Sequence, residues 1–128
     1  MAKIKLGTQH PNIKHTVNVT SLHGDELAIP IEYRYRTAKG YAKLMDDAGV
    51  GVDIDAAMVD GKFSALVFTG LAIEKKAKLL GEILADWVID ETPCTPENIA
   101  ALCDEFPQAA DKIVSDYRTA CLEGKLGN

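Results

Sequence analysis

The side chains that could do chemistry are few and poorly spaced for it. His10, His15 and His23 all lie near the N-terminus. They lack the spacing that sets two imidazoles on one helix face for a metal. His10 and His15 flank a proline and His23 sits in a turn sequence, so solvated surface histidines are expected. Cys94, Cys103 and Cys121 are odd in number and have no CxxC spacing. That argues against a disulfide framework or a zinc site, and for reduced, partly buried thiols. Asp46-Asp47 and Asp53-Ile54-Asp55 pair carboxylates, but in a glycine-bearing loop that should be wet. A catalytic pair needs one acid lifted in pKa inside a cleft, so turn and capping roles are expected instead. Ser21, Ser64 and Ser115 lack a nucleophile-elbow context. No GxxxxGK[ST] or GxGxxG occurs, so no phosphate cradle can be argued. These residues predict a non-catalytic chain with no cofactor and no metal, one that acts by binding other proteins.

Length and charge bound that reading. The 128 residues fit one domain, with 47% hydrophobic and 26% charged residues, as in an ordinary globular protein. The net charge of -5 disfavours nucleic acid and anionic membranes as partners. Residues 1–45 hold seven Lys/Arg against three Asp/Glu, a net of +4. Residues 46–128 hold seven against sixteen, a net of -9. Solvated faces explain such an asymmetry; head-to-tail contact between copies would also use it. Met1 to Lys5 lacks an apolar h-region, which predicts no secretory signal and a cytoplasmic protein. The longest nearly uncharged apolar stretch, Phe63 to Ile73, is too short to span a bilayer.

The elements that position these residues follow from periodicity. Leu27, Ile29, Ile31, Tyr33 and Tyr35 alternate with other residues, which predicts a strand. Pro30 cannot donate to a ladder, so that strand is expected at an edge or with an irregular start. Ile13 to Thr20 also alternates, and His23-Gly24-Asp25-Glu26 makes the turn of a β-hairpin. Lys3 to Leu6 is a candidate third strand. Thr37 caps a helix carrying Tyr41, Leu44 and Met45 on one face, and Gly49 ends it. Asp53 or Asp55 can cap a short helix through Met58 and Val59. Phe63 to Ile89 is expected to be mostly helix, with a strand as the alternative in its first half. Thr95-Pro96-Glu97 starts a further helix, which Pro107 stops. A last helix runs from about Gln108 to Leu122, with Gly124 at its C-terminus. The fold class predicted is therefore α+β: a β-hairpin region over residues 1–36, a helical region over 37–128, and a C-terminal helix pair over 96–122.

The binding candidates come from the same pass. Tyr33-Arg34-Tyr35-Arg36 interleaves bases and aromatics, as some nucleic-acid surfaces do, but its tyrosines are in phase with the core face. Trp87 is the single tryptophan, expected as an anchor for the last two helices, with a partner hot spot as the alternative. The candidate partner-binding residues are Tyr33, Arg34, Arg36, Lys39, Lys43, Trp87, Phe106 and Tyr117. A groove between 63–89 and 96–122 could hold a client helix.

One resemblance is specific. Trp87, Asp90, Thr95-Pro96-Glu97-Asn98-Ile99, Phe106-Pro107-Gln108-Ala109-Ala110, Ile113, Tyr117 and Gly127-Asn128 resemble the C-terminal half of phage tail assembly chaperones. Ile29 to Thr37, followed by a Tyr/Leu helix, is similar to the start of those proteins. The resemblance covers roughly 13–48 and 79–128; residues 49–78 match nothing. It rests on packing residues and caps rather than on chemistry, and no catalytic residue carries over. It implies a non-virion protein of the bacterial host cytoplasm. Such a protein binds the tape measure protein, keeps it soluble and recruits tail tube subunits, acting as a homo-oligomer and sometimes with a longer frameshifted form. A minor structural component of the tail or head–tail joint is the alternative, and a small nucleic-acid-binding regulatory domain a more distant one.

Overall fold

The computed structural model describes residues 4–7, 10–49 and 51–124. In chain order the elements are β1 (Ile13–Thr20), β2 (Glu26–Tyr33), α1 (Ala38–Ala48), a one-turn 3-10 helix (Ile54–Ala57), β3 (Met58–Val59), β4 (Lys62–Phe63), α2 (Ala65–Ile83), β5 (Leu84–Trp87), α3 (Pro96–Glu105) and α4 (Pro107–Leu122). The chain is α+β.

The hairpin forms as its alternation requires. β1 and β2 pair antiparallel with His15 opposite Ile31, Val17 opposite Ile29 and Val19 opposite Leu27. This register puts Val17, Ile29, Ile31 and Tyr33 on one buried face and leaves Lys14, Thr16, Asn18, Ala28 and Pro30 exposed. Ser21 closes the turn: its hydroxyl accepts from the Asp25 N–H at 3.0 Å. Gly24, at φ 87, takes the left-handed position that favours glycine.

The third strand is not the predicted one. Ile4, Lys5 and Leu6 pair with nothing among the described residues, and Lys3 lies outside them. The partner comes instead from the C-terminal end of the expected long helix, Phe63 to Ile89. α2 stops at Ile83, and β5 pairs antiparallel with β2 through Ile31–Trp87 and Glu32–Asp86, with a bulge at Glu32/Tyr33. No proline marks this stop. The open edge of β2 offers backbone partners and a place under the sheet for Leu84 and Trp87, and this outweighs local helix propensity. β2 is therefore the central strand rather than the edge strand that Pro30 suggested. The ladder tolerates Pro30 because its carbonyl faces β5 and accepts from Val88 N–H at 2.8 Å. Its missing donor would lie on that same side, just where β5 ends.

Helices cover one face of the sheet. The buried set joins Val17, Ile31 and Tyr33 to Leu80 and Ile83 of α2, Ile99, Leu102 and Cys103 of α3, and Ala110, Ile113 and Tyr117 of α4. The caps are as the sequence predicts. Thr37 accepts from Gly40 N–H at 3.1 Å and Thr95 from Asn98 N–H at 3.3 Å. Gly49 turns the chain out of α1 at φ 73. Asp53 caps the 3-10 turn, but that turn ends at Ala57. Met58 and Val59 instead pair with Phe63 and Lys62 as a minimal hairpin, turned by Asp60 and Gly61 at φ 50 and 77. Pro107 ends α3 and also opens α4 at its first position.

Candidate functional site

Most of the conspicuous polar and aromatic residues are used inside the fold. Tyr33 lies at the end of β2, fully buried, and its hydroxyl donates to the Ile113 carbonyl at 2.6 Å. Tyr117 stacks beside it, ring centroids 5.0 Å apart, and donates to the Arg34 carbonyl at 2.7 Å. Burial raises the pKa of both: Tyr33 strongly, with Asp116 adding to the effect, and Tyr117 to about 12, with the hydrogen bond from Arg36 opposing. Arg36 donates to the Tyr117 hydroxyl at 3.0 Å and to the Glu82 carbonyl at 3.1 Å. Arg34 donates to the Gly81 carbonyl at 2.8 Å. Two guanidinium groups thus close the C-terminal end of α2, where unpaired carbonyls and the negative pole of the helix dipole favour cations.

A second polar cluster lies under β1. His15 Nε2 is 2.8 Å from Asp116 Oδ2, and Lys112 Nζ is 2.6 Å from Asp116 Oδ1. The carboxylate only accepts, so Nε2 carries the proton, and Nδ1 is left buried without a partner. His15 is therefore a core residue and not the surface histidine expected from the sequence. Cys103 is buried, with its thiol pushed up to about 11, and Cys94 and Cys121 are half-buried; all three are free thiols. Among the described residues, no group of three His, Cys, Asp or Glu is arranged to hold a metal ion. No helix among them is long and apolar enough to cross a membrane.

The predicted partner-binding residues do not form one surface. Tyr33 and Tyr117 are fully enclosed and Trp87 is 5% exposed, its indole N–H donating to the Thr92 carbonyl at 2.8 Å. These three are scaffold: burial leaves them nothing to offer a partner. Arg34 and Arg36 are held on α2. Arg34, Lys39, Lys43 and Phe106 are exposed. Lys43 pairs with Asp47 at 2.9 Å along α1, and Phe106, 39% exposed, sits at the α3–α4 junction.

The surface that sequence reasoning missed lies within residues 49–78, which the sequence resemblance did not cover. Ile54, Met58, Val59, Phe63, Leu66 and Val67 are exposed, Phe63 at 52% and Leu66 at 83%. They lie on the 3-10 turn, the β3–β4 hairpin and the first turn of α2, with Met58 opposite Phe63 across the hairpin and the Phe63 ring against Phe68. A patch of this kind marks an interaction site. The signal was present, since Phe63 to Phe68 is apolar without helical periodicity, but such a run reads equally as core. Behind the patch, α2 and the α3–α4 junction bound a groove of about 260 Å³, lined mainly by Phe68, Ala72, Ile73, Cys103, Pro107 and Ala110.

A small α+β scaffold whose buried polar groups, His15 Nδ1 apart, bond to one another, and which leaves large apolar side chains exposed, has the build of a protein-binding module. Its kind is given by comparison: the family model for phage tail assembly chaperones matches residues 1–128, the whole chain, and the protein belongs to that family. Searches of curated proteins and of solved structures find no match.

Proposed function

We propose that this tail assembly chaperone acts in the bacterial host cytoplasm, where it binds the tape measure protein, keeps it soluble and brings tail tube subunits to it, without itself entering the finished virion. The observation that carries the reading is the uncovered apolar surface of Met58, Val59, Phe63, Leu66 and Val67. A long helical client exposes apolar surface until the tube encloses it, and a bare patch of the same character can cover it reversibly. No catalytic step is involved.

Co-expression tests this. The wild-type chain should move the tape measure protein from the insoluble to the soluble fraction, and Phe63→Ser with Leu66→Ser should abolish the effect while the chaperone stays folded. An unchanged soluble yield with that double variant would count against the patch. Abundance in purified particles would instead point to a structural component. We also propose that copies associate head to tail. Because the Arg34 and Arg36 guanidinium groups are bound to α2 carbonyls, Lys39 and Lys43 are the candidate cations left to serve that contact. Sedimentation at low salt should show weaker self-association for Lys39→Gln with Lys43→Gln, and no change would exclude the contact.

A further inference from the structure

We infer that the groove between α2 and the α3–α4 junction seats one amphipathic α-helix of the client, with an apolar stripe flanked by Lys or Arg. The inference rests on the client-binding reading and specifies its chemistry. At about 260 Å³ the groove falls below the range of small-ligand sites, and its lining brings few polar groups together to orient a small molecule. It is a place for side chains of a larger partner. It is also continuous with the patch. The Phe63 ring lies 5.6 Å from that of Phe68 in the groove wall, and Phe63 stands opposite Met58 across the small hairpin. Along α2, Phe68 to Lys76 spans about 12 Å, roughly two helical turns. That length suits anchors at i, i+3 or i+4, and i+7 of a helix laid alongside.

Charge selects the occupant. The cation in the lining, Lys76, is held by Asp111 at 2.7 Å, so the two largely cancel. The exposed acids around the groove are not so matched. Asp104 and Glu105 lie between the lining residues Cys103 and Pro107, and Asp60 tips the hairpin beside Phe63. None of the three has an ion-pair partner among the described residues, and Lys62 offsets one of them at most. These exposed acids without ion-pair partners favour basic residues beside the client's stripe. The same acids disfavour a second copy as occupant, since a two-fold contact would set one acidic rim against the other.

Fluorescence anisotropy with the full chain tests the inference. The probes are two labelled helical peptides with the same leucine stripe, one flanked by Lys and Arg and the other by Glu. The basic peptide should bind about tenfold more tightly at low salt, and the preference should shrink as salt is added. Asp104→Lys with Glu105→Lys changes only exposed residues and should remove the preference without unfolding the chain. Equal binding of both peptides, or a preference that survives the charge reversal, would overturn the inference. So would self-association that Phe63→Ser abolishes, because the occupant would then be a second copy. If the tape measure protein is solubilised while neither peptide binds, client binding stands and the groove assignment fails. If the basic peptide binds selectively while the tape measure protein stays insoluble, the groove assignment stands and the client reading fails.

Discussion

Raising the pH should unfold this protein cooperatively, with buried tyrosines as the cause. Tyr33 and Tyr117 keep their protons in the folded chain well above the ordinary value of 10.0, Tyr117 to about 12. Cys103 is raised from 9.0 to about 11. A raised folded pKa means that the unfolded chain ionises first. The stability these groups contribute is complete below the unfolded values and is lost as pH rises through the window up to the folded values. Each withheld ionisation removes about 1.4 kcal/mol per pH unit. With two tyrosines acting, and Cys103 over part of the range, the loss approaches 3–4 kcal/mol per unit just above pH 10. A fold worth roughly 5–15 kcal/mol does not outlast a few such units. Tyr33→Phe isolates the effect. It removes the hydrogen bond to the Ile113 carbonyl and should cost about 1–2 kcal/mol near neutral pH. It also removes one of the ionisations, so its stability should fall less steeply. The two urea-derived stability curves should therefore converge about one pH unit above the free tyrosine value. Far-ultraviolet circular dichroism and phenolate absorbance, followed together, provide the assay. Parallel stability curves, or phenolate formation by these residues before the loss of secondary structure, would refute the reasoning.

Three further outcomes follow from the same contacts. Asp116→Ala leaves His15 Nε2 and Lys112 without their acceptor and should cost about 2–4 kcal/mol in urea unfolding, whereas His15→Leu with Asp116→Leu should recover most of that loss. Thr95→Ala removes the cap on Asn98 N–H and should cost about 1 kcal/mol, read as a lowered urea midpoint with an unchanged slope. Native-state hydrogen exchange should find the amides of Leu79–Ile83 protected to near the global limit and those of Phe68–Leu71 opening more readily, because the former lie over the core and the latter largely do not; equal protection along α2 would argue against this.

The sequence made legible what local physics determines. The hairpin and its buried faces followed from alternation, and both threonine caps and the helix stop at Pro107 followed from residue types with one strong local role. What it hid depended on distant partners. β5 continues a helix with no breaker between, and only the open edge of β2, some fifty residues earlier, makes it a strand. Pro30 argued for an edge position because a missing donor is harmless only where no acceptor faces it. In this fold Pro30 lies one residue past the last paired position of β5, where its carbonyl still accepts from Val88 N–H. His15 looked solvated because nothing near it in sequence shows that Asp116 waits beneath β1. The candidate residues divide in the same way: Tyr33, Trp87 and Tyr117 are buried, since bulk and aromaticity are what the core recruits, while Lys39, Lys43 and Phe106 remain outside.

The distribution of burial along α2 gives the interaction reading its physical sense. Its C-terminal half, with Leu80 and Ile83 fully enclosed, ties the sheet to α3 and α4. Its N-terminal end carries Leu66 and Val67 outward, with Phe63 just before it, and covering such side chains would stabilise the fold by about 1.5–3 kcal/mol each. The chain forgoes that gain, and it also accepts the tendency of bare apolar surface to self-associate. The acids answer the second problem. Asp60, Asp104 and Glu105 border the patch and its groove in a segment whose net charge is -9, so two copies approaching through this face repel each other. A client with basic flanks feels the opposite force. One arrangement of charge therefore opposes pairing of two copies through this face, leaves head-to-tail contact open, and draws the face to a basic partner, which a purely apolar patch could not do.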